Sequence, residues 1–191
     1  MIRKSDNKLL TAIRIAIAGN VIDLGVGKEF NIVEDVRKIL KKEFAIFDFN
    51  EFVKHLEKAN SILYIGDNAG ESVFDKILIE ELKKPVTYVV RDIPVINDVT
   101  YKDAVASGIN EIAGIISSGS SAPAVIPELC NENFMAKFNA ADMVISKGQG
   151  NYEGLSNVDR SVFFLLKAKC HVIANDLNVK EDDIVLKEIN I

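Results

Sequence analysis

Asp67 and Asn68 stand side by side directly after an apolar run, Ile62 to Ile65 and Gly66, in the segment YIGDNAGES (64–72). A turn needs only one Asp or Asn, so two adjacent oxygen-bearing side chains at the end of a buried run point to something held there. Further on, Asp92 and Asp98 lie in RDIPVINDVT (91–100), Ser118, Gly119 and Ser120 in SSGSSAP (117–123), and Lys147 opens KGQGNYEG (147–154). Carboxylate and carboxamide oxygens are hard ligands. With no paired His or Cys beside them they suit Mg²⁺ or Mn²⁺ better than zinc. Asp67, Asn68 and either Asp98 or Asp92 are the candidate ligands. A Ser-Gly-Ser turn offers N–H groups and hydroxyls to an anion, and Lys147 can neutralise phosphate charge. Metal, anion loop and lysine are the working parts of phosphoryl transfer, where positioning and charge stabilisation supply most of the catalysis. Glu71, Asp92 and Glu153 are further carboxylates placed to act as bases.

The elements that must position these groups change character along the chain. The first third reads as helices: 8–22 is apolar nearly all round, 28–42 carries a stripe of Phe30, Val33, Val36, Ile39 and Leu40, and a third begins with Asp48 or Asn50 as its N-cap. From Ser61 short apolar runs at 62–66, 86–90, 111–116, 142–146 and 171–174 alternate with helical patterns such as 71–83. Continuous apolar strands separated by helices predict a parallel sheet covered on both faces. The expected fold is α/β, a Rossmann-like three-layer arrangement with a mainly parallel sheet, preceded by helices. Residues 1–60 then form a helical part packing on a metal- and phosphate-binding core at 61–191, within one domain. In such a sheet the first four strand exits share one edge, the edge where open α/β folds bind ligands.

Bulk properties narrow the function. The chain has 191 residues, 48% hydrophobic and 27% charged, with a net charge of −5. That acidic balance argues against a nucleic-acid footprint. The most apolar stretch, Leu9 to Val26, carries Arg14, Asn20 and Asp23, so no membrane span is expected. MIRKSDNKLL lacks the apolar core of a signal peptide, and Cys130 and Cys170 have no metal-ligand spacing. A reducing cytoplasm is the expected location.

Taken singly, each feature has a plainer reading. Asp67 is placed to cap a helix, Asp92 to close a turn, SSGSSAP is a loop, and Lys147 a solvated lysine. GQGNYEG spaces its glycines as GxGxxxG, a weak match to a dinucleotide fingerprint. GVGK (25–28) follows a helix and reads as a C-cap. His55 lies on a charged helix and His171 at a strand start. The joint occurrence on one edge favours chemistry.

Five segments together resemble the DUF89 family, metal-dependent damage-control phosphatases related to the C-terminal domain of some pantothenate-kinase-like proteins. They are AIAGNVIDLG (16–25), GDNAGE (66–71), VRDIPVINDVT (90–100), SGSSAP (118–123) and SKGQGNYEGL (146–155). The resemblance implies one divalent metal, Mg, Mn, Co or Ni, on Asp67, Asn68 and Asp98, which favours Asp98 over Asp92. It implies Lys147 as a phosphate contact, with Asp67, Asp98 and Lys147 carrying the catalysis, and Ser118, Gly119 and Ser120 as the anion turn. Asn20, Asn151 and Glu153 are expected near the pocket. The implied activity is hydrolysis of small phosphorylated metabolites, sugar phosphates or phosphopantetheine-like compounds; the alternative is a phosphometabolite-binding module without turnover, or a fragment that needs a helical partner. Two departures stand out. Members usually carry an additional N-terminal helical region of several dozen residues, so a chain that starts close to the AGNxID helix is expected to be a short form, one half of a split protein or a fragment; and Ala124 stands where glycine is expected. The expected partners are therefore the phosphometabolite and either a second copy of the chain or a separately encoded helical region, with apolar surface left exposed on the first helix.

Overall fold

The computed structural model describes residues 5–19 and 32–189. Its eight α-helices are α1 (Lys8–Gly19), α2 (Ile32–Lys41), α3 (Phe49–Lys58), α4 (Ser72–Leu82), α5 (Tyr101–Ala106), α6 (Glu132–Ala140), α7 (Gln149–Leu155) and α8 (His171–Asp176). Its strands are β1 (Phe44–Phe47), β2 (Ile62–Ile65), β3 (Val86–Val90), β4 (Gly114–Ser117), β5 (Met143–Lys147), β6 (Val162–Lys167) and β7 (Ile184–Ile189). They form one sheet in the order β1-β7-β6-β5-β2-β3-β4. Every pair is parallel except β6 with β7.

The apolar runs are continuous because both faces of the sheet are covered. Ile62, Tyr64, Tyr88, Val90, Ile145 and Phe163 pack on one face with Ile13, Ile17, Leu78 and Phe52 from α1, α4 and α3. The alternate residues Leu63, Ile65, Val89, Val144 and Phe164 pack on the other with Phe134, Tyr152 and Ile173 from α6, α7 and α8. This is the expected three-layer α/β arrangement. Among the described residues no helix is long and apolar enough to cross a membrane.

The local reading of the ends of the chain needs correction. Residues 44–47 lie in the third expected to be helical, yet they form β1 at the sheet edge, where Phe44 and Ile46 are half-buried and Ala45 and Phe47 exposed. A four-residue alternation is too short to stand out between two amphipathic helices. The run 171–174 is the start of α8, not a strand, so His171 opens a helix. A short apolar run fits either state, and here Ile173 and Leu177, four apart, both turn inward. The last two strands in chain order, β6 and β7, correspond to none of the expected runs. The strand expected at 111–116 sits at 114–117, after a 3₁₀ turn at Ile109–Glu111. Asp48 does occupy the N-cap position of α3 but gives it no side-chain bond; its carboxylate accepts from the Glu188 N–H at 2.8 Å instead. Within the described part of α1, Ala12, Ile13 and Ile15 to Gly19 are buried, so the apolar surface expected to stand exposed there is covered. The GVGK segment lies outside the described residues.

The glycines of GQGNYEG have a packing role. Gly150 and Gly154, four apart on α7, share a face that meets the backbone at 123–125. A Cβ at Gly150 would stand 3.0 Å from the Pro123 carbonyl oxygen, and one at Gly154 would overlap the Val125 carbonyl. Ala124, which departs from the expected glycine, is not among the residues with positive φ. Its methyl fills the space those glycines leave, 3.9 and 3.7 Å from the same two Cβ positions. Overpacking of this kind costs about 1–3 kcal/mol, so Gly154→Ala lowers the urea midpoint. Gly114→Ala, where an added Cβ meets nothing within 4 Å, leaves the midpoint unchanged or slightly raised. Equal midpoints for the two variants would remove the packing account of the motif.

Candidate active site

Parallel pairing of β2 with β3 and β5, and of β3 with β4, brings four strand exits to one edge. Two of these exits are then stitched together by backbone. Val99 N donates to Asp67 O and Ala69 N to Asn97 O, both at 2.8 Å, so Asn68 and Asp98 face each other in an isolated antiparallel bridge. Arg91 N donates to Val99 O at 2.9 Å, which closes 92–98 into a loop returning to the end of β3. The three expected metal ligands, Asp67, Asn68 and Asp98, thus sit on paired backbone rather than on free loops. Gly148, at φ 78°, lets the chain after β5 pass against Asp67; a Cβ there would collide with its carboxylate.

Beneath these residues lies a buried charge set. The Lys147 ammonium is wholly buried and donates to Glu71 Oε2 at 2.9 Å and Asp75 Oδ1 at 2.8 Å. Burial alone would lower its pKa, but the Asp75 and Glu71 carboxylates outweigh that and hold it above the usual lysine value, so it stays charged. Tyr64 and Tyr88 donate to the two oxygens of Asp75 at 2.7 and 2.8 Å. Glu71 Oε1 accepts from Asn68 Nδ2 at 2.7 Å, which turns the carboxamide nitrogen inward and its oxygen away. The chain of bonds runs unbroken from two core phenols to a candidate ligand. Asp67 is pushed from the usual carboxylate range up to about 8, first by burial and then by the Glu71 charge, with Asp98 adding to it and Lys147 opposing.

The other expected residues divide. Asn151 is buried and donates to the carbonyls of Gly66 and Lys147, while its oxygen accepts from Arg91 Nη2 and Val125 N. Ser118 and Ser120 are buried and flank Gly119 at φ 76°. Their hydroxyls accept the N–H groups of Ser120 and Ala122, at 3.3 and 3.0 Å, and keep their own protons as donors. Asp92 is exposed and accepts from the Ser117 hydroxyl at 2.9 Å. Glu153 is exposed on α7 and is not brought into the set. Asn20 lies outside the described residues. Lys147, expected on the phosphate, has its ammonium on Glu71 and Asp75. Sequence reasoning missed Asp75, Tyr64, Tyr88 and Arg91 as members of the network. Only Arg91 carried a usable signal, a lone base at the end of an apolar strand, the same one that drew attention to Lys147.

Asn68 and Asp98 also line a cleft of about 400 Å³ with Pro94, Ile96, Thr100 and Lys102. Ile96 on its rim is 86% exposed at φ 50°, a strained backbone for a β-branched residue and of a kind found beside functional sites. Among the described residues no three His, Cys, Asp or Glu side chains converge as a metal site. The set here is two carboxylates and one carboxamide. Such a sparse oxygen set fits Mg²⁺ or Mn²⁺, which keep waters and take remaining ligands from substrate phosphate. The carboxylates crowded around Asp67 are a charge excess that a divalent ion would relieve.

The family model described as damage-control phosphatase ARMT1-like domain matches residues 1–185. A damage-control phosphatase of Pyrococcus horikoshii is 42% identical over 180 residues, which cover 91% of this chain and 63% of that protein. A damage-control phosphatase of Archaeoglobus fulgidus is 33% identical over 197 residues, covering 99% of this chain and 68% of that one. The crystal structure of a DUF89 family protein from Pyrococcus horikoshii superposes with a TM-score of 0.88 at 40% identity, over 96% of this chain and 67% of that one. The chain therefore spans less than two thirds of the length of the Pyrococcus relative.

Two outcomes test this geometry. Lys147→Met strands two buried carboxylates and costs about 3–5 kcal/mol in urea unfolding. Adding Glu71→Gln and Asp75→Asn recovers part of it. A wild-type midpoint for Lys147→Met would mean the three charges do not share one buried network. In metal-stripped protein Asp67 holds its proton more tightly folded than unfolded. Between pH about 4 and about 8 the native state then binds more protons, so the contribution of Asp67 to stability falls as pH rises across that window and levels off above it. Asp67→Asn flattens that slope, read as urea midpoint against pH; identical slopes in both proteins count against the assignment.

Proposed function

The chain belongs to the family of damage-control phosphatase ARMT1-like domains, and from that membership we propose that it is a divalent-metal-dependent phosphatase acting on small phosphorylated metabolites. The observation that carries the reading is the backbone stitching of Asp67, Asn68 and Asp98 at the edge of a cleft of about 400 Å³. Hard oxygen ligands fixed before a metal arrives cost no reordering when it binds.

In this reading Asp67, Asn68 and Asp98 hold Mg²⁺, Mn²⁺, Co²⁺ or Ni²⁺. When bound, the metal supplies charge neutralisation of a phosphate oxygen and polarisation of phosphorus. The rest is the work of the chain. Glu71 keeps the Asn68 oxygen turned outward, and Lys147 holds Glu71 in place. Hydroxyl protons from Ser118 and Ser120 bind phosphate oxygens. The cleft toward Ile96 and Lys102 takes the leaving group. Substrates of the size of a sugar phosphate fit a cleft of about 400 Å³. The names of the relatives from Pyrococcus and Archaeoglobus point to damaged metabolites as the class.

The test is phosphate release from p-nitrophenyl phosphate and a panel of sugar phosphates. Metal-stripped protein is assayed with each divalent ion added back, beside Asp67→Ala. Metal-dependent turnover is expected, reduced at least about 100-fold in the variant, whose fold is checked by circular dichroism. Turnover that survives both chelator and Asp67→Ala sinks the site. Metal and phosphate binding with no turnover makes this chain a binding module.

A further inference from the structure

We propose that Arg91 supplies the direct cationic contact to the substrate phosphate, through guanidinium Nη1, beside the serine turn at 118–120. The inference rests on the phosphatase reading above and names the group that Lys147 was expected to be.

A phosphate dianion needs a positive side chain within hydrogen-bond reach, and Lys147 is committed elsewhere: its ammonium is 0% exposed, with Glu71 and Asp75 both within 2.9 Å. Arg91 is equally buried, 1% exposed, but its donors are divided differently. Nε donates to Asp98 Oδ2 at 2.6 Å and Nη2 to Asn151 Oδ1 at 2.8 Å. Nη1 has no partner among the described residues. A buried N–H of a charged group left without an acceptor is costly and rare, and calls for a ligand to explain it.

The surroundings say which ligand. Arg91 directly follows the last residue of β3. The carbonyl of Val90 accepts from Ser118 N at 2.8 Å, so the serine turn starts beside the arginine backbone. Val125 N shares the Asn151 oxygen with Nη2, and the guanidinium charge is felt at the Cys130 thiol. The guanidinium therefore shares the Asn151 oxygen with Val125, in the segment that follows the serine turn, and also pairs with Asp98, a proposed metal ligand. A phosphate with one oxygen near Asp98 and another at the serine turn spans this arginine. Only a guanidinium serves both neighbours, since its planar fork fixes Asp98 and Asn151 on some N–H groups and presents others to an anion. An ammonium has no such division. Arg91 binds here and transfers no proton.

The probe is inorganic phosphate, titrated calorimetrically into the full chain loaded with Mn²⁺, for wild type and Arg91→Lys. Mn²⁺ binding is measured separately in each. The lysine keeps a charge beside Asp98 but loses the second arm of the fork. The expected result is phosphate affinity reduced at least about tenfold with Mn²⁺ affinity within about threefold of wild type. Unchanged phosphate affinity overturns the proposal. So does a parallel fall in Mn²⁺ and phosphate affinity, which would show Arg91 acting only through Asp98. If Arg91→Lys does not fold, the ¹⁵N side-chain resonances of Arg91 in wild type decide: a shift of the guanidinium on adding phosphate supports the contact, and no shift overturns it. Wild-type protein that neither turns over substrate nor binds phosphate with any metal defeats the phosphatase reading and this inference together. Turnover in wild type with undiminished phosphate affinity in Arg91→Lys defeats the inference alone.

Discussion

The candidate site depends on one carboxamide. Asn151 lies on α7, yet its four hydrogen bonds reach the carbonyl after β2, the carbonyl at the end of β5, the arginine after β3 and the N–H of Val125 beyond β4. A buried amide with two donor and two acceptor bonds leaves nothing unsatisfied, so it fixes four separate exits at little energetic cost. A carboxylate there would lack the donors, and an aliphatic residue would strand several buried partners at once. The approach of α7 that makes this reach possible is itself set by Gly150 and Gly154, whose missing side chains let the helix lie on the 123–125 backbone. One helix face thus does two jobs, packing through its glycines and bonding through the asparagine between them.

The buried charges form a second tier. Lys147, Glu71 and Asp75 are all within 2% of full burial. Isolated, each would be expensive in a low-dielectric interior. Together, with Tyr64 and Tyr88 capping Asp75, they are satisfied and rigid. Burial and Asp75 push both phenols well above the usual tyrosine value, so they remain donors. The set is an excess of negative charge facing Asp67, and burial of a carboxylate beside it is what raises the Asp67 pKa. A region of this kind is poor as an anion site and suitable for a cation. The guanidinium of Arg91 and the serine turn, to which the proposed reading gives the anion, lie one strand further along. The edge of the sheet is therefore polarised, with the buried carboxylates over β2 and β5 and the guanidinium and serine hydroxyls over β3 and β4. On the proposed reading, that arrangement would set a metal and a phosphate side by side.

How much of this was legible beforehand differs by kind of interaction. The alternation of apolar runs and helices gave the three-layer α/β fold. The adjacency of Asp67 and Asn68 at a strand exit marked the edge and two candidate oxygen ligands, while the residues alone left Asp98 and Asp92 open and the family resemblance favoured Asp98. These follow from neighbours in the chain and from periodicity, which local sequence carries. The glycine spacing of GQGNYEG was visible but read against a ligand, when its partner is a backbone segment some thirty residues earlier. Strand β1 and helix α8 depart from the local pattern for a related reason: both are short, and sheet edge or helix is settled by what packs against them.

By itself the sequence determined the fold class, the order of the strand exits and the residue types gathered there, because covalent order and hydrophobic period act over a few residues. Only the tertiary structure decided which basic residue is held between two carboxylates and which is left with a nitrogen that has no partner among the described residues. Lys147 and Arg91 look alike in the chain, each a single base ending an apolar strand. What separates them is the company that folding brings. Asp75, 72 residues away, and Glu71, 76 residues away, take up the ammonium of one, while Asp98 and Asn151 occupy only part of the guanidinium of the other. Desolvation and ion pairing are properties of a folded interior, and no local pattern encodes them.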